Sequence, residues 1–286
     1  MPKKMIGPLY VALGALLWSF AGLGVKFIPW HPLSISCVRG VVGALTIALM
    51  GRRWRPTLNK ATVLTGFFMF ATAILFMFAN KLTSAANAIV LQYTAPVYVL
   101  IASALAAKAR LKALDICTVL LTLLGIVLFF VEHMGKGALL GDSLALLSGL
   151  TFAGVFFCNS LPGTNPQDAS FLGCAMAIFL VPMLFTDPQV AAGGLVPWVA
   201  VVSLGVAQLG LGYYFFAKGV KQTGAVAASI ISTAEPIFNP IWVFLFLGER
   251  PGVLSLLGGG IVVVTICVYN ILSAKRMAKE EPLPQS

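Results

Sequence analysis

Glu235 is the side chain with the most chemistry to offer and the least obvious reason to be where it is. It stands in ISTAEPIFNPIW, residues 231–242, inside an apolar run long enough to cross a bilayer. Ser232 precedes it by three residues, and Asn239 and Trp242 follow by four and seven, which is the spacing of one helical face. A carboxylate near mid-bilayer costs roughly 2.5–3.5 kcal/mol on insertion scales, so this one is expected to face a cavity or a partner. Pro236 and Pro240 carry no N–H, so the carbonyls of Ser232 and Pro236 lose their helical donors within a turn of the acid. Three roles suit such a group. It can be a neutral acid that pins the kink or gates the helix, a direct contact for substrate, or a site that exchanges protons as the coupling ion. The first is set ahead of the second, and proton coupling comes third.

Other candidates share the same logic. In LQYTAP, residues 91–96, Pro96 removes the donor for the carbonyl of Gln92, so Gln92 and Tyr93 either bind a ligand or repair the broken turn. Arg39, in SISCVRGVVGAL, lies about two turns inside its apolar run. It either snorkels to the nearer interface or lines a cavity and receives an anionic group such as a carboxylate, and position alone favours snorkelling. Opposite Glu235, an inward Arg39 would suit a zwitterion. Trp18 shares a face with Gly14 and Gly22, small residues that permit close helix approach. Gln208, Tyr214 and Phe215 come from a later apolar run, and of the aromatic residues Trp18 and Tyr214 merit testing. The predicted substrate pathway is therefore Glu235, Asn239, Ser232, Gln92, Tyr93, Arg39, Trp18 and Tyr214, hinged at Pro96, Pro236 and Pro240.

The elements that must position these residues follow from composition. Of 286 residues, 59% are hydrophobic and only 10% charged, and the mean hydropathy is +0.96. That is too little charge to cover a soluble domain of this size. The apolar material falls into ten blocks of about bilayer length: 5–25, 33–50, 60–79, 84–106, 113–131, 141–158, 168–186, 195–217, 222–247 and 252–273. The expectation is an all-α membrane protein of ten transmembrane helices, with no soluble domain left to carry a separate activity.

The net charge of +10 does not indicate nucleic acid, because the basic residues lie where topology signals lie. GRRWRP, residues 51–56, sits between two runs. With both termini inside, fourteen of the 19 Lys and Arg residues fall in cytoplasmic segments and four, Lys26, Lys81, Lys136 and Arg250, in outer loops. The chain is therefore expected in the cytoplasmic membrane with N- and C-termini cytoplasmic. Lys3 and Lys4 before the first apolar run could open a secretory signal. Removing residues 1–25 would leave nine runs and break the repeat described next, so the run is read as the first pass. Cys37, Cys117, Cys158, Cys174 and Cys267 all lie within apolar runs without paired spacing and read as packing residues, so neither a metal nor any other cofactor is implied.

Residues 80–114 and 220–254 align without a gap at an offset of 140. Lys81, Thr83, Ala85, Pro96, Arg110 and Leu114 meet Lys221, Thr223, Ala225, Pro236, Arg250 and Leu254, while Ala95 meets Glu235. Residues 1–136 and 137–286 then form two five-helix units. Five is odd, so the second enters the membrane inverted, the recurring plan of secondary transporters that alternate access to a midplane site.

From these residues the chain resembles the drug/metabolite transporter superfamily, in particular its EamA-type ten-helix branch. The likeness is strongest over residues 213–264, with the acid–proline pair at Glu235–Pro236 and the LGER loop at 247–250. The first unit departs from the pattern, since AKARL at 107–111 has Ala109 where Glu249 stands in the second. The loop's glutamate–arginine pair occurs once, which argues against a mechanism of two matched gates.

The resemblance implies transport of small organic metabolites: amino acids, nucleobases, nucleotide sugars or drugs. With Gln92, Ser232, Glu235, Asn239 and Arg39 as the polar inventory, the expectation is a secondary transporter exporting an amino-acid-like solute. The alternatives are a multidrug or cationic-compound efflux transporter and, more distantly, a membrane-embedded hydrolase. GDSL at 141–144 resembles an esterase motif, but Ser143 opens a membrane helix and the two histidines, His31 and His133, fall in outer loops. LGGGI at 257–261 reads as a tight helix contact. The partners expected are the small-molecule substrate, the lipid bilayer and protons as a candidate coupling ion, with no oligomeric state specified.

Overall fold

Helix starts are set by capping side chains at the ends of the apolar runs. Asn59 accepts from the N–H of Thr62, Ser84 from Asn87, Asn165 from Gln167 and Asp168, and Asp187 from Gln189. Each satisfies a donor that a helix N-terminus leaves over. Pro32, Pro166 and Pro188 follow their caps directly, where a missing N–H costs nothing. The computed structural model describes residues 6–52, 54–106, 112–133, 138–159, 161–223, 231–248 and 250–280.

Among the described residues, nine helices are long and apolar enough to cross a membrane and there is no strand. They are α1 (Ile6–Lys26), α2 (Pro32–Gly51), α3 (Lys60–Leu82), α4 (Ala85–Ala102), α5 (Ala113–Glu132), α6 (Leu139–Asn159), α7 (Pro166–Thr186), α8 (Leu195–Gly219) and, last in the chain, α10 (Val253–Leu272). The ninth anticipated pass is represented by α9 (Ala234–Leu247), an apolar helix of 14 residues. Helix continues from α8 to Thr223, beyond the 217 anticipated. Residues 224–230, which carry Ala225 of the repeat alignment, lie outside the described residues. So do Ala109 and Glu249 of the loop pair and the boundary at 136/137.

Prolines leave their mark where their missing donors require. α4 is two helices, Ala85–Gln92 and Ala95–Ala106, meeting at Tyr93 and Thr94 just before Pro96. α9 begins after a turn at Thr233, just before Pro236, and carries Pro240 inside it.

Close approaches at glycine give the helix directions. A Cβ at Gly51 would meet Gln167 and one at Gly40 would meet Ala177, while the Ser34 hydroxyl reaches the Met183 carbonyl at 3.4 Å. α2 and α7 are therefore antiparallel. So are α5 and α10, because Gly125 abuts Gly258 and Val262 while Glu132 Oε2 accepts from the Leu254 N–H at 2.7 Å. α1 runs against α8, with Gly7 on Gln222–Thr223 and Gly14 on Gly212, and α3 runs against α6, with Gly141 on Leu82–Thr83 and Gly154 on Phe68. α2 lies parallel to α8 and α3 parallel to α7, through Gly205 on Val42 and Gly173 on Met69.

These pairs have a common property. Advancing every helix by five places, with return to the start after ten, turns α1/α8 into α6/α3 and α3/α7 into α8/α2, and maps α2/α7, α5/α10 and α4/α9 onto themselves. The direction of each pair determined above is kept. The glycine contacts obey the same exchange: Gly7 rests on Gln222–Thr223 and Gly141 on Leu82–Thr83, which are the residues matched at offset 140.

Apolar side chains cover the outside. Leu120, Leu121 and Leu124 of α5 and Val253, Leu256 and Leu257 of α10 are exposed, while Val25, Ile28, Trp30, Ile89 and Leu91 are buried at the core. In a bilayer the exposed set costs nothing, because lipid tails are as apolar as the side chains.

Candidate substrate pathway

α4 and α9 meet at their broken turns. Glu235 is 8% exposed, so it points into the bundle and not at lipid. The Tyr93 hydroxyl donates to Glu235 Oε2 at 2.7 Å and also lies 3.1 Å from the Ser232 carbonyl oxygen. That carbonyl is the one Pro236 leaves without a helical donor. Tyr93 thus repairs the broken turn of the opposite helix, and one phenolic proton has two acceptors in reach. With Glu235 ionised, the phenol donates its hydrogen bond to the carboxylate. With Glu235 protonated, the acid can donate to the Tyr93 oxygen while the phenol turns to the Ser232 carbonyl.

The first unit has its own device at the corresponding break. A Cβ at Gly149 of α6 would lie 2.9 Å from the Gln92 carbonyl oxygen and 3.1 Å from Thr94 Oγ1. Only glycine lets α6 press on the turn that Pro96 opens. Gln92 itself is buried.

Asn239, one turn beyond Glu235, is fully buried, and neither its Oδ1 nor its Nδ2 has a hydrogen-bond partner among the described residues. It lies against Gly22 of α1, where a Cβ would stand 2.7 Å from Oδ1. Trp242 donates through Nε1 to Ser19 Oγ at 2.9 Å and stacks on Phe20, holding α9 to α1. The Nε1–Cδ1 side of the Trp18 indole abuts Gly212 of α8, and its buried N–H has no acceptor among the described residues. Its ring meets those of Tyr213 and Phe216, with centroids 5.1 and 4.9 Å away.

Arg39 is 2% exposed and donates to Gln208 Oε1 at 3.2 Å. It points into the bundle, away from the interface to which its sequence position would let it snorkel. A cavity of about 20 Å³ beside it is lined by Ser36, Met69, Cys174 and Tyr213 among others. Tyr213 is the residue that the sequence analysis missed: it lies within electrostatic range of both Arg39 and Glu235. Tyr214 does not join this group. Its ring meets Phe215 edge-on and sits 4.5 Å below Lys218 Nζ at the far end of α8.

At the end of the bundle where α1 finishes, Thr83 Oγ1 donates to Asp142 Oδ1 at 2.6 Å, and Asp142 is fully buried. The Lys26 ammonium reaches the Thr83 carbonyl at 3.5 Å, and the His31 N–H donates to Asp187 at 2.8 Å. At the opposite end Asp168 accepts from the Thr57 N–H at 2.9 Å. Asp142, Asp187 and Asp168 thus tie later helices to earlier ones at both ends, while Glu235 and Arg39 occupy the middle. Ser143, of the GDSL motif, donates to the Leu139 carbonyl of its own helix at 2.8 Å.

Two stretches that nearly exhaust the chain, residues 5–131 and 139–271, each match the sequence pattern of the EamA-like transporter family. The chain belongs to this family. An uncharacterized transporter of Archaeoglobus fulgidus is 25% identical over 271 residues, covering 92% of this chain and 95% of the relative. The pseudopaline exporter CntI of Pseudomonas aeruginosa is 24% identical over 237 residues, covering 80% of this chain and 82% of that one. A solved crystal structure shares the fold with a TM-score of 0.65 at 19% identity, over 95% of this chain and 98% of that chain. As an EamA-like transporter the protein is a multi-pass membrane protein with a small-molecule substrate.

Proposed function

We propose that the protein is a secondary transporter that exports a small polar, amino-acid-like solute across the cytoplasmic membrane by alternating access, with Glu235 at the centre of the path. The observation that carries this reading is the hydrogen bond from Tyr93 to Glu235, which joins the two proline-broken helices where they cross. A carboxyl held there by a partner on the opposite unit can release it when substrate or a proton takes its place.

The exchange symmetry of the helix pairs supports two inverted copies, residues 1–136 and 137–286, and the two separate family matches point the same way. Each copy can then adopt the other's shape, which gives two states open to opposite sides at similar energy. The basic loops support cytoplasmic termini. The name of CntI supports export as the direction. The second phenolic acceptor, Ser232, supports protons as the coupling ion, because protonation of Glu235 would re-aim the Tyr93 hydroxyl.

A second reading is favoured by one cluster. Trp18, Tyr213 and Phe216 form an aromatic wall near the acid, which would also suit efflux of flat cationic compounds.

Uptake into liposomes containing purified protein separates the two. The panel is amino acids, nucleobases and cationic dyes, with and without a pH gradient, for wild type and Glu235→Gln. Movement of amino acids that depends on Glu235 is the expected result. A response confined to the dyes would transfer the assignment to drug efflux, and Glu235→Gln with wild-type uptake throughout would remove the acid from the mechanism.

A further inference from the structure

We propose that Arg39, Ser36, Gln208 and Tyr213 form an anion subsite that seats a carboxylate of the transported solute. The proposal rests on the transporter reading above and adds to it a chemical requirement on the substrate.

Arg39 is a cation in the interior of a membrane bundle, 2% exposed. A buried charge is costly unless an opposite charge or a full set of hydrogen bonds answers it. Among the described residues its side-chain acceptor is the neutral Gln208 Oε1, and Nε has no partner there. The hydroxyl of Ser36, one turn before Arg39 on α2, is also buried without a partner among the described residues. Both residues line the cavity of about 20 Å³, whose far wall is Cys174 and Tyr213. That volume holds one water-sized oxygen.

The donor set is specific. A guanidinium offers parallel N–H groups that match the two oxygens of a carboxylate, and a hydroxyl can add a third bond. No carboxylate of the protein is paired with Arg39 among the described residues, so the group that completes it comes from outside. Gly205 brings α8 against the Arg39 carbonyl and Val42, which places Gln208 over the guanidinium. Tyr213, on the next turn, lines the same cavity and packs edge-on to Trp18, so its hydroxyl stands on the wall that faces a bound carboxylate. The bound species is then a zwitterion or an anion, not a simple amine.

The test compares pairs that differ only in the carboxylate: each proteinogenic amino acid with an aliphatic or aromatic side chain against its decarboxylated amine, for example L-leucine against isopentylamine and L-phenylalanine against phenethylamine. Binding is read as the ligand-induced rise in melting temperature of detergent-purified full-length protein, and transport by liposome counterflow. At least one amino acid is expected to raise the melting temperature while its amine does not. Arg39→Gln should weaken that response at least tenfold, and Arg39→Lys should recover little of it.

Ser36→Asp guards against a variant that simply fails to fold. It supplies an internal carboxylate to Arg39, so it should raise ligand-free stability and abolish the amino-acid response. The subsite is overturned if amines and amino acids act alike. It is equally overturned if Arg39→Gln leaves the response within twofold, or if Ser36→Asp keeps it. Glu235-dependent movement of amines or dyes with no carboxylate effect would sink the subsite and leave the transporter standing; no movement and no shift with any solute would sink both.

Discussion

Tyr93 donates to Glu235 across the crossing of α4 and α9, 2.7 Å from oxygen to oxygen, and so links positions 142 residues apart. The residue that matches Glu235 in the other unit is Ala95, two places beyond Tyr93. The acid of α9 therefore finds its partner at the break of α4. Removing the phenol in Tyr93→Phe leaves a buried carboxyl without its donor and should cost about 1–3 kcal/mol of stability. Transport should slow about tenfold, the equivalent of ~1.4 kcal/mol in a barrier. Glu235→Gln keeps an oxygen for Tyr93 to donate to, so its melting temperature should stay near wild type while any pH response of transport disappears. Thermal unfolding and initial uptake rates, measured side by side, check both.

Gly149→Ala would push a Cβ to 2.9 Å from the Gln92 carbonyl. Backbone cannot give way as a flexible side chain does, so the expected penalty is about 1–3 kcal/mol. Gly260→Ala is the control, because nothing lies within 4 Å of its Cβ position. Alanine there should be neutral or stabilise by up to about 1 kcal/mol. Equal melting temperatures for the two variants would contradict the close packing of α6 on α4.

Gly7 and Gly141 sit at opposite ends of the bundle in matching contacts. Alanine at Gly141 should pry the end that the basic-loop topology places outside, and alanine at Gly7 the end placed inside. The measurement is labelling by a membrane-impermeant thiol reagent of a cysteine introduced at Asn87, in a background lacking the native cysteines. Labelling from outside should rise for Gly141→Ala and fall for Gly7→Ala. Parallel changes in both would argue against opposed gates.

Asp187 lies beyond the end of α7. Burial alone would raise its pKa, but the Ser34 hydroxyl, the N–H groups of His31 and Gln189 and the nearby His31 charge together hold it below the ordinary carboxylate value. A folded pKa below the unfolded one stabilises the fold at pH values above the unfolded pKa. That contribution is lost as pH falls through the folded pKa. Wild type should therefore exceed Asp187→Asn in melting temperature at neutral pH, and the difference should close as pH falls below the ordinary carboxylate range. A gap that persists at low pH would show that the contact does not depend on ionisation.

Tyr213→Phe should impair uptake and Tyr214→Phe should not. Both keep the ring, so the comparison isolates the two hydroxyls, and equal rates for the two variants would place Tyr213 outside the path.

Much of this was legible in the sequence, and for identifiable reasons. Pro96 and Pro236 announce broken turns because proline cannot donate, and Glu235 announces an inward face because lipid cannot solvate it. What the sequence could not supply was partnership. Tyr93 and Glu235 are neighbours only because α4 and α9 cross at their breaks, a relation between distant segments that no local spacing encodes. Tyr213 was missed for a different reason. Helix α8 is π-helical over Leu204–Leu211, where bonds run from i to i+5 and the inward face slips relative to a regular helix. Gln208 and Tyr213, five apart, consequently share a side, and Tyr214 is turned away from it. Arg39 was ambiguous because two turns of depth allow either snorkelling or burial, and only the presence of Gln208 on the parallel helix α8 separates them.

The unmatched pair of Ala95 and Glu235 sets a thermodynamic ceiling. A cycle that carries protons on this axis has one carboxyl to load, so its stoichiometry is at most one proton per turnover. In the absence of a membrane potential, a transmembrane difference of one pH unit could then sustain no more than about a tenfold accumulation of an uncharged solute, since each unit is worth about 1.36 kcal/mol per proton.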